Sequence, residues 1–581
     1  MPKKYSLKEK ISKEAEKELE KYDSITKQLL YNRGIKTGEE AESFLSPDFE
    51  THLHDPFLLP DMEKAVERII FAIENNEVVG IWSDYDADGI PGGALLHDFF
   101  KLIGYTNFVN YIPDRHEEGY GLNSDGVEEI AKAGVKLLIT IDCGTRDVEE
   151  IKHAKKLGIE TIVTDHHEPA SSVGGEILPE SFAIVNHKLA GSKYPESFLC
   201  GSGIIWKMIT AILIKKRSFI KEGQPFELPQ GKEKWLLDLA GIATLSDMVP
   251  LLGENRAIAH FGLKVLRKTR RPGLIKLYQI RKINPKNLNE DDIGFLITPR
   301  INAASRMGKP KDAFDLLVCD NEAEAEGLAK HLEKLNNERK GVVASIVKEI
   351  KHTLKNRFES EGPKQVIVIG NTNWRPSLLG LAANSISEEY RRPVFIWGRE
   401  SGSVIKGSCR SGGTTDLVAL MERTKASFLE FGGHKLSGGF SISEERIHNL
   451  ENDLVEASTH ILAGETEEFA DLELKIKDVN INTAETINKL GPFGVGNKKP
   501  VFVFYNVIPE RIESFGKGKD HLSVSIRDGG STAKAIAFFS NPDSWGDCLK
   551  EGVPTNLSAS IELFYWRGDR PEVRLRIVDF F

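Results

Sequence analysis

The sequence predicts an α/β protein: a parallel-sheet domain, a smaller α/β domain reached through one long helix, and a C-terminal β-barrel. Three observations predict this. Short apolar runs alternate with helical segments from about residue 75 to 190, as in a parallel sheet covered by crossover helices. An apolar row at three- and four-residue steps runs through 321–358. The segment 466–581 consists mostly of short apolar strands between polar turns.

Bulk composition is consistent with that class. The chain has 581 residues, 40% hydrophobic and 28% charged, with a net charge of −9. These values exclude a disordered or fibrous chain. No apolar run approaches the ~18 residues of a membrane span, so no membrane association is expected. The Lys- and Glu-rich start has no apolar block, so no secretory signal is expected either. Cys143, Cys200, Cys319, Cys409 and Cys548 are scattered, with neither a zinc pattern nor a disulfide framework, which suits a reducing cytoplasm.

The elements follow in order. Residues 1–74 read as an amphipathic helical cap. Strands are expected at 77–82, 108–112, 137–141, 161–164 and 182–185, with helices at 92–102 and 148–157. The polar stretch 215–232 reads as a surface loop. Leu328, Leu332, Leu335, Val342, Ile346, Ile350 and Leu354 line the long connecting helix. A second α/β unit opens at 365–369. The barrel strands are expected at 501–507, 522–526, 533–539, 558–564 and 573–577. The domain limits are thus 1–74, 75–320, 321–360 for the connecting helix, 361–465 and 466–581. From Arg256 to Lys286 there are ten Lys and Arg and no Asp or Glu. This stretch is either a solvated helix face or a track for a polyanion, which releases counterions from phosphates.

The chemistry-bearing signal is the position of acids and histidines. The strand ending at Trp82 is followed by Ser83-Asp84-Tyr85-Asp86-Ala87-Asp88-Gly89. In extended chain all three carboxylates share one face. Strand 137–141 ends in Asp142, strand 161–164 in Asp165-His166-His167, and the apolar run 239–246 in Asp247. In a parallel sheet such ends gather on one edge, where ligands bind. Carboxylates crowded together need cations among them, and oxygen-rich sites suit Mg²⁺ or Mn²⁺. A pair of such ions about 3.5–4 Å apart suits in-line phosphoryl displacement.

The motifs DYDADG (84–89), PDRHEEGYGLN (113–123), IDCG (141–144), DHH (165–167) and ATLSDMVPL (243–251) resemble the DHH phosphoesterase superfamily. Their order is similar to its RecJ branch of single-stranded-DNA-specific exonucleases. The likeness continues through TPRINAASRMG (298–308), GSCRSGG (407–413), FGGHKLSGGF (431–440) and GPFGVGN (491–497). It implies a DHH domain, a DHHA1 domain and an OB-type barrel. It further implies two divalent metal ions, Mn²⁺ or Mg²⁺, on Asp84, Asp86, Asp88, Asp142, His166 and Asp247. His167 falls on the position that meets the scissile phosphate, and with Asp165 it makes the catalytic pair. Arg115, Arg306, Ser408, Arg410 and His434 fall on DNA- or phosphate-binding positions. The implied reaction is 5′→3′ release of mononucleotides from single-stranded DNA, in repair and recombination. A helicase and a single-strand-binding protein would supply the strand. The alternative is a phosphodiesterase of short oligonucleotides or cyclic dinucleotides, like smaller members of the superfamily. Phe493, Tyr505, Phe515 and Tyr565 are candidates to stack bases in the barrel, although most barrel aromatics are core. Three positions depart from the pattern. Trp82 stands where many members have a His, implying one protein ligand fewer at one metal. Arg375 replaces the His of a Trp-His-Pro-Gly motif, and Ile90-Pro91 stand where a Ser or Thr is common.

Overall fold

The computed structural model describes residues 5–172, 175–362, 364–399, 404–413, 415–458, 468–516, 518–565 and 571–581. The expected 465/466 boundary lies outside them. The chain folds as two compact units. One comprises Pro56–Asp247 and Val265–Thr466, the other Met1–Asp55, Met248–Lys264 and Glu467–Phe581.

The first unit is built on a five-stranded parallel sheet. Its strand order is Phe108–Tyr111, Val79–Ser83, Leu137–Ile141, Glu160–Thr164, Ala183–Val185. Every residue of Val79–Ser83 and Leu137–Ile141 is buried, since helices cover both faces. The helix Gly89–Ile103 packs unusually close to the sheet. A Cβ at Gly92 would fall 2.7 Å from Ile141 Cγ2, and one at Gly93 2.7 Å from Ser83 Oγ. The glycines after Pro91 therefore serve close packing.

The connecting helix spans Glu322–Glu361, 40 residues or about 60 Å. Its first half buries Ala325, Ala329, Leu332 and Leu335. Its second half buries Ile346, Ile350 and Leu354 against Trp374, Leu378 and Ala382 of the smaller lobe. Val342, expected on the apolar row, is 38% exposed, because the buried side continues through Asn336, Val343 and Ile346 and leaves Val342 beside it. The smaller lobe is a mixed sheet in the order Ile367–Gly370, Val394–Gly398, Ile405–Arg410, Ser437–Ile442, Glu430–His434. Only its first pair is parallel. The stretch 215–232 is not a plain loop. It forms a two-stranded hairpin, Ser218–Lys221 with Gln224–Glu227, turned by Gly223 at φ 73°.

The second unit holds the barrel. Phe502–Phe515, His521–Asp528, Ser531–Phe538, Pro571–Phe580 and Thr555–Tyr565 pair in that order, and the last closes onto the first. Among these five strands only the Ser531–Phe538 and Pro571–Phe580 pair is parallel, and the short strand Leu472–Glu473 adds a second parallel pairing onto Phe502–Val503. Its core is shared with Leu19, Leu29, Leu30 and Ala41. The expected 1–74 cap thus divides. Residues up to Asp55 belong with the barrel, while the helix Met62–Glu74 belongs to the first unit. Amphipathic helices of this size have no core of their own and go to whichever apolar face accepts them.

Candidate metal centre and phosphate site

The metal-centre residues come from four elements of the first unit. Asp84, Asp86 and Asp88 do not lie on extended chain as expected. The strand stops at Ser83, and a turn leads into the helix that begins at Gly89. Asp86 Oδ1 accepts the N–H of Asp88 at 2.7 Å and of Gly89 at 3.2 Å, closing that turn. Asp88 is oriented by another element. Its Oδ2 accepts from Gly201 N at 2.6 Å and its Oδ1 from Ser202 N at 2.8 Å, at the start of the helix Gly201–Lys215. A helix N-terminus with free N–H groups favours that negative charge. Asp142 follows its strand in a left-handed conformation, φ 63°. Strain at a non-glycine residue marks a position held by its surroundings. Asp247 follows its apolar run as expected. The apolar run before it is a helix, Leu237–Ser246, with Asp247 at its C-cap. Leu237 to Thr244 are all buried, and a helix apolar all round reads like a buried strand in sequence.

These groups converge. His166 Nε2 stands 3.0 Å from Asp142 Oδ1, 3.7 Å from Asp88 Oδ2 and 3.8 Å from Asp247 Oδ2. Three sets have ligand atoms within 4.8 Å of one another: Asp84, Asp86 and Asp142; Asp88, His166 and Asp247; Asp142, His166 and His167. Burial and neighbouring carboxylates push Asp84, Asp142 and Asp247 well above the usual carboxylate range, and burial with Asp86 pushes Asp88 up to about 6. Asp84 Oδ1 and Asp142 Oδ1 are buried with no hydrogen-bond partner. Buried carboxylate oxygens are costly when unpaired, so the donor set fits hard divalent cations.

Asp165 plays a different part. It is 1% exposed and belongs to none of the three sets. Its Oδ1 accepts from His166 N, His167 N and, at 2.8 Å, His167 Nδ1, and its Oδ2 accepts from Thr145 N. Burial alone would raise Asp165. The His167 bond and charge outweigh it and hold Asp165 low, and the same bond raises His167 against its own burial. Burial, followed by the charge of His167, lowers His166 to about 3, leaving a neutral imidazole free to ligate.

Trp82 is fully buried, stacked on Tyr111 at 4.2 Å, with Nε1 donating to Gly121 O. It fills core and offers no ligand.

Sequence reasoning missed three side chains here. Tyr120 OH donates to Asp142 O and lies 3.0 Å from His167 Nδ1. Asn186 Nδ2 donates to His167 O, and Asn302 Oδ1 accepts from Ala87 N. Tyr120 lay within the 113–123 motif and Asn302 within the 298–308 motif, whereas nothing in the pattern marked Asn186.

The phosphate-binding candidates form a second grouping. The Arg115 guanidinium lies 4.8 Å from the Tyr85 ring centroid. Arg306 Nη1 donates to Ser377 O at 2.6 Å, and burial with the charges of Arg115 and Arg339 holds it down to about 9. Arg410 and Ser408 approach the helix Pro376–Tyr390 at Gly380, where a Cβ would lie 3.0 Å from Arg410 Nη2 and 3.6 Å from Ser408 Oγ. Arg306, Ser408 and Arg410 therefore meet at the first turns of one helix. His434 ends an exposed hairpin strand and joins none of these contacts. Arg375 is the exposed N-cap of the same helix. The 256–286 stretch is neither of its two readings in full. Arg256 is buried on the carbonyls of Phe44 and Gly491, while the partly buried Arg271 pairs with Asp98 and Asp238 and Arg281 with Glu333. Charges that look free in sequence are used inside the fold. Among the barrel aromatics, Phe493 is core, whereas Phe515 and Tyr565 are 36% and 37% exposed.

Comparison with known proteins agrees with this geometry. The model of the DHH family, N-terminal domain, matches residues 78–243, the DHHA1 domain matches 361–460, and the RecJ OB domain matches 470–579. The single-stranded-DNA-specific exonuclease RecJ of Bacillus subtilis is 34% identical over 95% of this chain and 67% of its own length. That of Haemophilus influenzae is 31% identical over 89% of this chain and 90% of its own. The crystal structure of Thermus thermophilus RecJ with Mn²⁺ superposes with a TM-score of 0.78 at 25% identity, covering 98% of this chain and 77% of that one. The chain therefore belongs to the RecJ family of single-stranded-DNA-specific exonucleases.

Proposed function

We propose that this protein is a metal-dependent exonuclease that degrades single-stranded DNA from its 5′ end to mononucleotides. The observation that carries the reading is the convergence of Asp84, Asp86, Asp88, Asp142, His166 and Asp247, four of them buried, with Asp84 Oδ1 and Asp142 Oδ1 accepting no hydrogen bond. Two divalent ions held there, Mn²⁺ or Mg²⁺, supply positive charge to the oxygens around the scissile phosphorus. His167, whose charged form the bond to Asp165 favours, faces the same phosphate and stabilises its negative charge or passes a proton. Asp165 positions that ring through its buried hydrogen bonds. Arg115 and Arg306 hold the strand's phosphates, Ser408 and Arg410 hold the 5′-terminal phosphate, and exposed His434 meets the backbone. Arginine suits this work because it stays charged and binds phosphate through two N–H groups. The exposed barrel aromatics Phe515 and Tyr565 support bases. In the cell we place the protein in the cytoplasm, in repair and recombination, on strands opened by a helicase and covered by a single-strand-binding protein. Among the described residues no helix is long and apolar enough to cross a membrane.

The test is digestion of one single-stranded DNA labelled separately at each end, with Mn²⁺, Mg²⁺ or EDTA, beside a matched duplex. Immediate mononucleotide release from the 5′ label, only with metal and only from the single strand, is expected. Cleavage confined to di- to tetranucleotides would replace this reading with the short-oligonucleotide phosphodiesterase.

A further inference from the structure

A second concentration of cations lies where the helix Thr298–Met307 meets the connecting helix, outside the metal centre. Glu333 Oε2 accepts from Arg300 Nε at 2.8 Å, and Glu333 Oε1 accepts from Arg281 Nη1 at 3.0 Å. Asn336, Arg339 and Lys340 follow Glu333 at helical spacing and so share its side of the helix. Four cations thus gather around one carboxylate, and among the described residues no other carboxylate bonds to them.

Their polar atoms are also unused. Arg300 has a fully buried side chain, and its Nη2 has no partner. Asn336 is fully buried with neither amide atom bonded, and Arg281 Nε and Arg339 Nε are buried and unbonded. Buried polar atoms are rarely left so, and several pointing to one deficit mark a missing partner. Burial and the surrounding arginines lower both Lys340 and Arg339, as expected of cations lacking an anion.

An aromatic surface adjoins the cluster. Arg300 Nη1 donates to the carbonyl of Phe295, whose side chain is 70% exposed. Phe295 sits on the widened, π-type helical turn Asp292–Ile297, a geometry common at functional sites. The cations also continue toward the phosphate-binding candidates, since Arg339 and Arg115 both act on the charge of Arg306.

We propose that Arg281, Arg300, Asn336, Arg339 and Lys340 form a second phosphate-binding site, which takes an internal backbone phosphate of the DNA strand while Phe295 stacks a neighbouring base. The proposal rests on the single-stranded-DNA reading. Phosphate is the anion favoured because its several oxygens can satisfy several N–H donors at once. A strand is favoured over the free ion because of the exposed ring beside the cations. The site would hold the strand between cuts, when the end has just been lost.

The test uses the full-length protein in EDTA, so that binding is read without cleavage. Anisotropy of labelled oligothymidylates of about 5 and about 20 nucleotides is measured across a salt series. The variants are Arg339→Ala with Lys340→Ala, Phe295→Ala, and Lys311→Ala as a control. The double variant is expected to lose about tenfold on the long strand, with a salt slope lower by about 0.7 per phosphate contact removed. Phe295→Ala is expected to lose about fivefold or more on the long strand. The short strand should bind all variants alike. Equal loss on both lengths, or no loss, overturns the proposal. If millimolar phosphate raises the melting temperature of the wild type but not of the double variant, while long-strand binding is equal, the site takes a free anion and the strand proposal fails. If the wild type binds DNA but never cuts it, the exonuclease reading fails while the length comparison still tests this site.

Discussion

The substitution Gly201→Ala tests the construction of the metal centre without touching any ligand. Gly201 N–H holds Asp88, and a Cβ on Gly201 would stand 2.7 Å from Asp142 Cβ and 3.0 Å from Asp142 Cα. Carbon atoms normally approach to about 3.5–4.0 Å, so something must move by about 1 Å. The clash is with atoms at the backbone, so Asp142 cannot relieve it by rotating, and its φ of 63° leaves little freedom. Moving the helix start instead displaces Asp88. Either way the spacing of Asp88 and Asp142 changes by about 1 Å, while ligand distances tolerate about 0.2 Å. We expect a stability loss of about 1–3 kcal/mol from overpacking and a Mn²⁺ affinity lower by about 10–100-fold. Gly203→Ala is the control. Its Cβ would meet nothing nearer than Cys200 Sγ at 3.6 Å, and helix propensity favours it by up to about 1 kcal/mol. Calorimetric titration with Mn²⁺ and thermal melting read both variants. Equal affinity in the two would refute the claim that Asp88 and Asp142 are fixed by this helix start to share ions.

Asp142→Ala should abolish metal-dependent cleavage while leaving most DNA binding in EDTA; retained cleavage removes Asp142 from the centre. Arg410→Ala should reduce the preference for a 5′-phosphorylated over a 5′-hydroxyl strand by about tenfold, the worth of a charge-assisted hydrogen bond, in competition digests of the two strands. The rise in melting temperature produced by Mn²⁺ should shrink as pH falls through about 6. Asp88 titrates there, and Asp84, Asp142 and Asp247 are raised, so protons displace the ion from the acid side. Melting curves with Mn²⁺ and with EDTA at several pH values check the sign; an increment that grows toward pH 5 would contradict it.

Much of the centre was legible because its acids and histidines sit next to apolar runs. Asp142 and Asp165-His166-His167 end strands as expected. What holds the ligands was not legible. Gly201 and Ser202 reach Asp88 across more than a hundred residues, and no local pattern signals such a contact. The run before Asp247 fits a buried strand and a buried helix equally, since both are apolar on every side. Charge misleads in a similar way. Arg256 and Arg271 read as solvent-facing in sequence, yet partners distant in the chain hold them. The long helix was legible end to end, but the burial of polar Asn336 in its middle was not.

The pairing of segments 463 residues apart bears on how the protein is made. Tyr5–Leu7 runs parallel to Glu468–Ala470, Lys8 reaches Asp471, 463 residues away, and Leu29 and Leu30 share a core with Phe502 and Val524. On a ribosome adding about 5–20 residues per second, the first helices wait roughly 20–90 s for the strands that cover them. During that wait their apolar faces are exposed, while the five-stranded parallel sheet already has its sequence in hand. Loss of the last strand should therefore leave the beginning of the chain, not only its end, open to proteolysis.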